Sequence, residues 1–202
     1  MGLRLGLGPK GLLKLDGRSL IRLAAAGLRA ATHELVIAVP PGWSEEFSQE
    51  CPGARIIEGA ATRQETVRRL LAATDASHVI IHDAARPFLA AATARRVLDA
   101  AREHGAATAV LPVADSLLDR SSGRTPDRSA LFLVQTPQAF RHDLLAAAHE
   151  RARADGTEAT DDAALVRLLG EPVATVEGSP WLFKITAPGD LELARAAAAG
   201  WP

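Results

Sequence analysis

The chain has 202 residues, of which 48% are hydrophobic and 23% charged, and its formal net charge is -1. This length and composition are typical of a single globular domain, here residues 1–202, that is large enough to bury its own core. The near-neutral charge, with three Trp, five Phe and no Tyr, argues against a broad basic or base-stacking surface, so no nucleic-acid partner is expected.

Cysteine usage and hydropathy indicate the cellular compartment in which the protein resides. Cys51 is the single cysteine and cannot form an internal disulfide, which favours a reducing environment. No apolar run approaches the length of about 18 residues that a membrane span needs, and the N-terminus lacks a signal-peptide pattern. We therefore predict a cytoplasmic protein without a membrane partner.

The first half of the chain alternates predicted strands with predicted helices. Helices are expected at 19–31, at 44–49 with Ser44 as cap, from the cap Thr62 to about 74, and at 91–104. Strands are expected at 34–40, 54–59, 78–82 and 107–112. No hairpin signal interrupts this alternation. It predicts an α/β fold with three layers, built on a mostly parallel, doubly wound sheet.

The second half begins with a polar segment that breaks this rhythm. We predict that residues 115–134 form a protruding arm, in which 116–118 pairs with 130–134 as a hairpin and packs against a second subunit of a homodimer. A plain flexible loop is the alternative. After the arm we expect a helix at 141–154, a helix capped by Thr160, strands at 172–176 and 181–186, and a final helix with Pro188 in its first turn.

Ionisable residues follow the predicted strand at 78–82. Val79, Ile80 and Ile81 are β-branched and uninterrupted, which predicts a strand buried on both faces. Asp83 and Arg86 then lie at its carboxyl end, where open α/β sheets bind ligands. A salt-bridged turn without a ligand is the alternative interpretation.

The lysines are few and unevenly placed. Only Lys10, Lys14 and Lys184 occur beside 20 arginines, and Lys10 ends a stretch with glycines at positions 2, 6 and 8. Such a stretch exposes backbone N–H groups that can hold phosphate oxygens, although a disordered tail is the alternative. Lys184 has apolar neighbours and should face a polar cavity, because burial of an unpaired ammonium is costly.

Seven short motifs, in this order, resemble one known family. They are the glycine-rich residues 2–10, Arg63-Gln-Glu-Thr-Val67, His82-Asp-Ala-Ala-Arg-Pro-Phe88, Asp115-Ser116, Gln135-Thr-Pro-Gln-Ala-Phe140, Thr160-Asp-Asp-Ala163 and Lys184-Ile-Thr186. Together they resemble the 2-C-methyl-D-erythritol 4-phosphate cytidylyltransferases, which have a nucleotide-diphospho-sugar transferase-like fold. The resemblance covers nearly the whole chain.

The resemblance implies a nucleotidyltransferase that uses CTP and Mg2+ and transfers CMP to methylerythritol phosphate. It implies that Arg4, Lys10 and Lys184 are catalytic and bind the phosphates, and that Gly2, Thr66 and Asp83 bind the nucleotide, with Asp83 also binding the metal. It further implies that Asp115 and Thr160 bind the polyol phosphate. Arg128 and Thr136 would reach the partner subunit's site. Positioning and charge neutralisation are what phosphoryl transfer requires of a protein.

The chain departs from the family pattern at its start. The family's first strand and the Pro-Ala-Ala-Gly that follows it have no counterpart, so we expect a start chosen too late or a truncated chain. Two other functions stay open: a cytidylyltransferase for another polyol phosphate, such as ribitol 5-phosphate, and a dimerising homologue with impaired catalysis. A nicotinamide-dependent dehydrogenase fits less well, because the glycines do not match G-x-G-x-x-G.

Overall fold

The computed structural model describes residues 8–201. Its strands are β1 (Lys14–Leu15), β2 (Arg18–Ser19), β3 (Val36–Val39), β4 (Arg55–Glu58), β5 (His78–Ile81), β6 (Ala106–Pro112), β7 (Phe132–Arg141) and β8 (Ala174–Glu177). Its helices are α1 (Leu20–Arg29), α2 (Ser44–Glu50), α3 (Arg63–Leu71), α4 (Ala91–His104), α5 (His142–Ala154), α6 (Asp162–Leu168) and α7 (Pro188–Ala198). No helix in this range is both long and apolar enough to cross a membrane.

The principal sheet has four strands in the order β5-β7-β6-β8. Strand β7 runs antiparallel to both of its neighbours, whereas β6 and β8 are parallel. Strands β3 and β4 form a separate parallel pair. The predicted α/β class is confirmed, and the four-stranded sheet is mixed because the chain returns from the arm directly into β7, between β5 and β6.

Helices cover both faces of this sheet. Ala106 and Phe140 pack with the α5 residue Leu145, while their chain neighbours Ala107 and Ala139 pack with the α4 residues. Because successive side chains of a strand point to opposite faces, one apolar run supplies both cores. The predicted three-layer arrangement follows from this alternation.

A cavity of about 650 Å³ separates β3 from β5. Val36 of β3, Val79 and Ile80 of β5, and the helix residues Leu28 and Leu98 line this slot. In the part of the chain that the structure describes, β3 pairs with β4 and β5 pairs with β7, so both slot edges lack a ladder partner. The prediction that β5 is buried on both faces is therefore wrong for 78–80, which are half-buried, and right for Ile81.

Two helix starts differ from their predictions. Trp43, rather than Ser44, occupies the cap position of α2, and its side chain makes no capping hydrogen bond. Asp161, rather than Thr160, caps α6, because its side chain accepts a hydrogen bond from the Ala164 N–H. Thr62 caps α3 as predicted, accepting from the Glu65 N–H at 3.1 Å. Pro188 begins α7, also as predicted.

The segment at 181–186 is not a strand. Pro180–Leu182 forms a 3-10 turn, and the Ile185 N–H donates to the carbonyl of Ala85 in the loop after β5, not to a neighbouring strand. The loop therefore takes the hydrogen bond that a strand ladder would have used. The apolar pattern reflects burial instead, since Leu182 and Ile185 are both buried.

The arm does not form the predicted hairpin between 116–118 and 130–134. Phe132, Leu133 and Val134 instead extend β7 and pair with Pro112, Leu111 and Val110 of β6. The connecting residues 113–131 contain a turn closed by Asp119 and the 3-10 turn Arg128–Ala130. Long-range pairing with an existing strand thus replaces the local pairing suggested by sequence proximity.

Candidate functional site

The loop after β5 places Asp83 at the edge of the sheet. The Asp83 N–H donates to Thr136 Oγ1 at 3.1 Å, and the Asp83 carbonyl accepts from the Arg86 N–H at 2.9 Å. Thr136 lies in β7, the sheet neighbour of β5. A turn and a cross-strand hydrogen bond thus hold the backbone of Asp83, which leaves its carboxylate available for other groups.

His82 completes this support as a neutral imidazole. Burial lowers the pKa of His82 to about 4, and its Nε2 lies 2.9 Å from the Arg86 carbonyl. A carbonyl can only accept, so Nε2 carries the proton and Nδ1 accepts from the Thr136 hydroxyl at 3.0 Å. The Thr136 oxygen is then free to accept from the Asp83 N–H. The whole chain of hydrogen bonds is satisfied without a net charge.

The Asp83 carboxylate lies between two cations. Lys184 Nζ is 2.7 Å from Oδ2, and Arg63 Nε is 3.2 Å from Oδ1. Burial acts to raise the pKa of Asp83, but the positive charges of Arg63 and Lys184 outweigh it and hold that pKa well below its ordinary value. Asp83 is therefore ionised across the physiological range.

A cavity of about 280 Å³ opens beside this ion pair. Its lining residues are Arg63, Asp83, Arg86, Val134, Gln135, Thr136, Gln138, Thr160, Asp161 and Lys184. Three residues predicted for the chain's own site, Asp83, Thr160 and Lys184, meet here. Thr136, which the resemblance assigns to the partner subunit's site, lines this cavity of its own chain instead. The slot between β3 and β5 is the larger of the two cavities, but none of the residues predicted for the site lines it.

Arg86 supports one wall of the cavity. Its Nη1 contacts the carbonyl of Leu182, which ties the loop after β5 to the turn before Lys184. Burial lowers the pKa of Arg86, and its Nε has no hydrogen-bond partner among residues 8–201. These contacts make Arg86 a brace between the loop after β5 and the turn before Lys184.

Lys10 approaches the same edge from the opposite end of the chain. Its Nζ donates to the carbonyls of Ile185 and Thr186 at 3.1 and 3.2 Å, next to Lys184. Two of the three lysines in the sequence thus converge from opposite ends of the chain. Gly2 and Arg4, the other residues predicted in the N-terminal loop, lie outside the described residues.

The remaining predicted residues are farther from Asp83. Thr66 accepts from the Ala60 N–H and donates to the Thr62 carbonyl, so its hydroxyl holds the turn before α3. On the arm, Asp115 is exposed, and Arg128 contacts the carbonyl of Ala114. Within one chain these three residues do not line the cavity, so their predicted substrate contacts remain predictions.

Two functional features went unrecognised in the sequence. Gln138 is fully buried and donates to Thr108 and Asp161 while accepting from the Ala163 N–H, which fixes the start of α6 at the cavity. Asp162 turns inward to Arg63 and His149. The adjacent pair Asp161-Asp162 signals only capping in sequence, because the two carboxylates separate to opposite sides only in three dimensions.

The donors near Asp83 limit how a metal ion could bind. No group of three His, Cys, Asp or Glu side chains suited to a metal occurs among residues 8–201. Asp83 offers hard carboxylate oxygens, and Mg2+ commonly binds one or two carboxylates together with substrate phosphates. The site therefore fits a Mg2+ ion whose other ligands are phosphate oxygens, not a cation held by protein alone.

Comparison with known proteins gives a consistent result along the chain. A family model described as "IspD: 2-C-methyl-D-erythritol 4-phosphate cytidylyltransferase" matches residues 1–199. The protein of that name from Thermus thermophilus is 49% identical over 203 residues, covering 99% of this chain and 93% of its own. The one from Deinococcus radiodurans is also 49% identical, over 198 residues, covering 96% and 84%.

Solved structures agree with this result. The crystal structure of 2-C-methyl-D-erythritol 4-phosphate cytidylyltransferase from Thermus thermophilus superposes with a TM-score of 0.87 at 47% identity, covering 95% of this chain and 94% of that one. A synthase from Anaerococcus prevotii gives 0.86 at 23% identity, covering 95% and 92%, which supports the fold alone.

Proposed function

The chain belongs to the 2-C-methyl-D-erythritol 4-phosphate cytidylyltransferase family, and on that premise we propose that its two substrates react in the cavity beside Asp83. The enzyme is a nucleotidyltransferase that transfers CMP from CTP to 2-C-methyl-D-erythritol 4-phosphate, in isoprenoid precursor biosynthesis. A 4-phosphate oxygen forms a bond to the α-phosphorus of CTP, and the bond to the bridging oxygen breaks. CDP-methylerythritol and pyrophosphate are the products.

One observation carries the placement of the reaction: Lys184 lines the cavity, and the Lys10 ammonium contacts the backbone carbonyls of the two residues that follow Lys184. Negative charge grows on the phosphate oxygens as the new bond forms, and fixed cations lower the energy of that state. Lys184 is 42% exposed, so an incoming phosphate can reach its ammonium group. We assign both lysines to the phosphates, together with Arg4.

Asp83 suits a second role at the nucleotide. Its carboxylate is ionised and already orients Lys184, and it offers an oxygen to a Mg2+ ion that arrives with the triphosphate. When bound, this ion would neutralise triphosphate charge and favour pyrophosphate as the leaving group. Thr160 and Thr136 line the same cavity, where a polyol phosphate would lie.

The arm is suited to contact a second subunit. Leu118, Phe132 and Leu133 are 70%, 53% and 48% exposed in the single chain, and such a group of apolar side chains favours burial by a partner. The neighbouring Val134 lines the cavity, so the arm and the site are continuous. In such a homodimer Arg128 would reach the partner subunit's site, and Asp115 would contact the polyol phosphate. The buried free thiol of Cys51 is compatible with a cytoplasmic location.

Pyrophosphate release tests the assignment. The chain is assayed with Mg2+ and CTP, with methylerythritol phosphate in one tube and ribitol 5-phosphate in the other. Release only with methylerythritol phosphate supports the proposal, and release only with ribitol 5-phosphate assigns the other substrate. Lys184→Ala should lower kcat at least about 100-fold. The matched control Lys14→Ala removes the third lysine, which pairs with Glu50 away from the cavity, and should leave kcat unchanged.

A further inference from the structure

A line of ion pairs connects the exposed site to the buried interior. From Lys184 it passes through Asp83 and Arg63 to Asp162, and it ends at His149, which is 2% exposed. Along this line the nitrogen groups of Lys184, Arg63 and His149 alternate with the two carboxylates. Asp162 is 1% exposed, so the inner end of this line is closed to solvent.

Geometry defines the inner contacts. His149 Nε2 lies 3.0 Å from Asp162 Oδ1, and because a carboxylate only accepts, Nε2 carries a proton. Asp162 Oδ2 lies 2.8 Å from Arg63 Nη1, as an ion pair without hydrogen-bond alignment. His149 Nδ1 has no hydrogen-bond partner in the described part of the chain. The imidazole thus makes one directed contact, and that contact orients Asp162.

We infer that His149 and Asp162 are positioning residues, which act through Arg63 to hold Asp83 against Lys184. Arg63 has two carboxylates on different sides, and their balance sets where its guanidinium lies. If Asp162 lost its charge, Asp83 would be the remaining acidic partner of Arg63 in residues 8–201. The guanidinium would shift toward Asp83, and Asp83 would lose its alignment with Lys184.

A purely structural role is a poorer account of this arrangement. A buried ion pair is weak evidence of a contribution to stability, because apolar residues of similar size in its place often stabilise the fold equally well. Here the buried acid is one guanidinium away from a carboxylate that lines the cavity. Misplacement of a reacting group by about 1 Å can lower a rate about 100-fold. Position, more than stability, is what these residues would supply.

Activity assays separate positioning from folding. The inference rests on the proposed function, so wild-type pyrophosphate release is measured first. Asp162→Asn and His149→Leu should lower kcat about 10- to 100-fold while the KM for CTP changes less than about threefold. His149→Gln should keep kcat near wild type, because its amide can donate to Asp162. His142→Gln is the matched control. His142 is a histidine of α5 that contacts the Leu71 carbonyl of α3 and does not belong to the line of ion pairs.

Lysine labelling tests the same inference without catalysis. Because the chain has three lysines, mass spectrometry can follow the reaction of each with an amine reagent. Labelling of Lys184 should rise several-fold in Asp162→Asn and His149→Leu, while that of Lys14 stays constant. This readout remains valid if the wild type releases no pyrophosphate, an outcome that would overturn the proposed function alone.

The double variant His149→Leu with Asp162→Leu guards against failure to fold, since it replaces the buried pair by apolar residues. A folded double variant with low kcat and reactive Lys184 supports positioning. Wild-type kcat and labelling in that variant would overturn the inference. So would a loss of kcat in the single variants that merely follows their folded fraction, or an equal loss in His142→Gln.

Discussion

The two flanks of β5 are held in different ways. Toward β7, four residue pairs run from His78–Arg141 to Ile81–Gln138, and the contact continues beyond the strand through Thr136 to Asp83. Toward β3 lies the slot of about 650 Å³. Near the site, the contacts that cross from α3 are made by side chains, through the Arg63 ion pairs and Gln64, which donates to the Thr157 carbonyl.

This difference indicates how the site keeps its shape. Sheet hydrogen bonds fix the backbone of Asp83 from one side, whereas ion pairs bring α3 and its turn to the same place from the other. A backbone ladder tolerates side-chain changes, but an ion pair is lost with either partner. Substitutions in the charged contacts should therefore alter activity strongly, and changes at the slot should alter stability more than chemistry.

The strongest test of this contrast is Asp83→Asn. The amide keeps the size of the side chain but removes the charge that orients Lys184 and Arg63, so kcat should fall about 100- to 1000-fold. Arg63 retains Asp162, and thermal unfolding should change little. Pyrophosphate release and circular dichroism measure the two effects. Asp99→Asn, in an exposed pair with Arg102, is the control; equal activities in the two variants would contradict the assignment.

The pH dependence of stability tests the β7 side. The folded pKa of His82 is about 4 because of burial, below the ordinary value of about 6.5. Between these values the unfolded chain binds a proton that the folded chain does not. The free energy of unfolding should therefore be largest above about pH 6.5 and fall by up to about 3 kcal/mol as the pH is lowered through about 4.

Urea unfolding at several pH values would measure this dependence. In His82→Gln the slope between about pH 7 and 4 should be smaller, because the titrating group is gone. The exposed His104 supplies the control variant His104→Gln, which should keep the wild-type slope. An unchanged slope in His82→Gln would show that other groups cause the pH dependence.

The slot predicts an effect on stability. A segment of β-branched residues fused before residue 1 should enter the slot, pair with the β3 and β5 edges that lack a ladder partner among residues 8–201, and raise the free energy of unfolding by roughly 2 kcal/mol, or Tm by about 5 °C. A fused segment of the same length made of Gly and Ser is the control. Equal Tm values for the two fusions would mean that the slot does not accept a strand.

The smallest predicted effect concerns the cap of α3. Thr62→Ala removes the acceptor of the Glu65 N–H and should lower the free energy of unfolding by about 1 kcal/mol. Because Arg63 stays anchored by two carboxylates, kcat should change less than about twofold. Thr62→Ser retains the hydroxyl and should behave like wild type. A large loss of kcat in Thr62→Ala would show that the ion pairs alone do not position α3.

Local patterns predicted most of the elements well. The apolar spacing at 91–104 and the β-branched run at 79–81 each match an observed element. The errors occurred where a residue had two physically similar options. Thr160 and Asp161 are both good caps, and the backbone angles of the folded chain decided between them. The segment 132–134 could pair with several neighbours, and β6 was the one available in the folded sheet.

The site was predictable in part for the same reason. Asp83 and Arg86 follow a strand directly, so their position at the sheet edge is a local property. Lys184 stood out because lysine is rare in this chain, although its predicted strand was wrong. Nothing in the sequence distinguishes His149 from the other five histidines. Its importance depends on α5 and α6 meeting, which involves contacts over many residues.

The sequence by itself determined the α/β order of elements, the charged loop after β5 and the family resemblance, because these depend on short patterns. The tertiary structure alone decided that Lys184 meets Asp83 across 101 positions, that Lys10 contacts the backbone just after Lys184, and that Asp162 turns inward. The physical reason is that periodicity reports how a segment buries its own side chains. Ion-pair partners are set by how the helices and the sheet pack together.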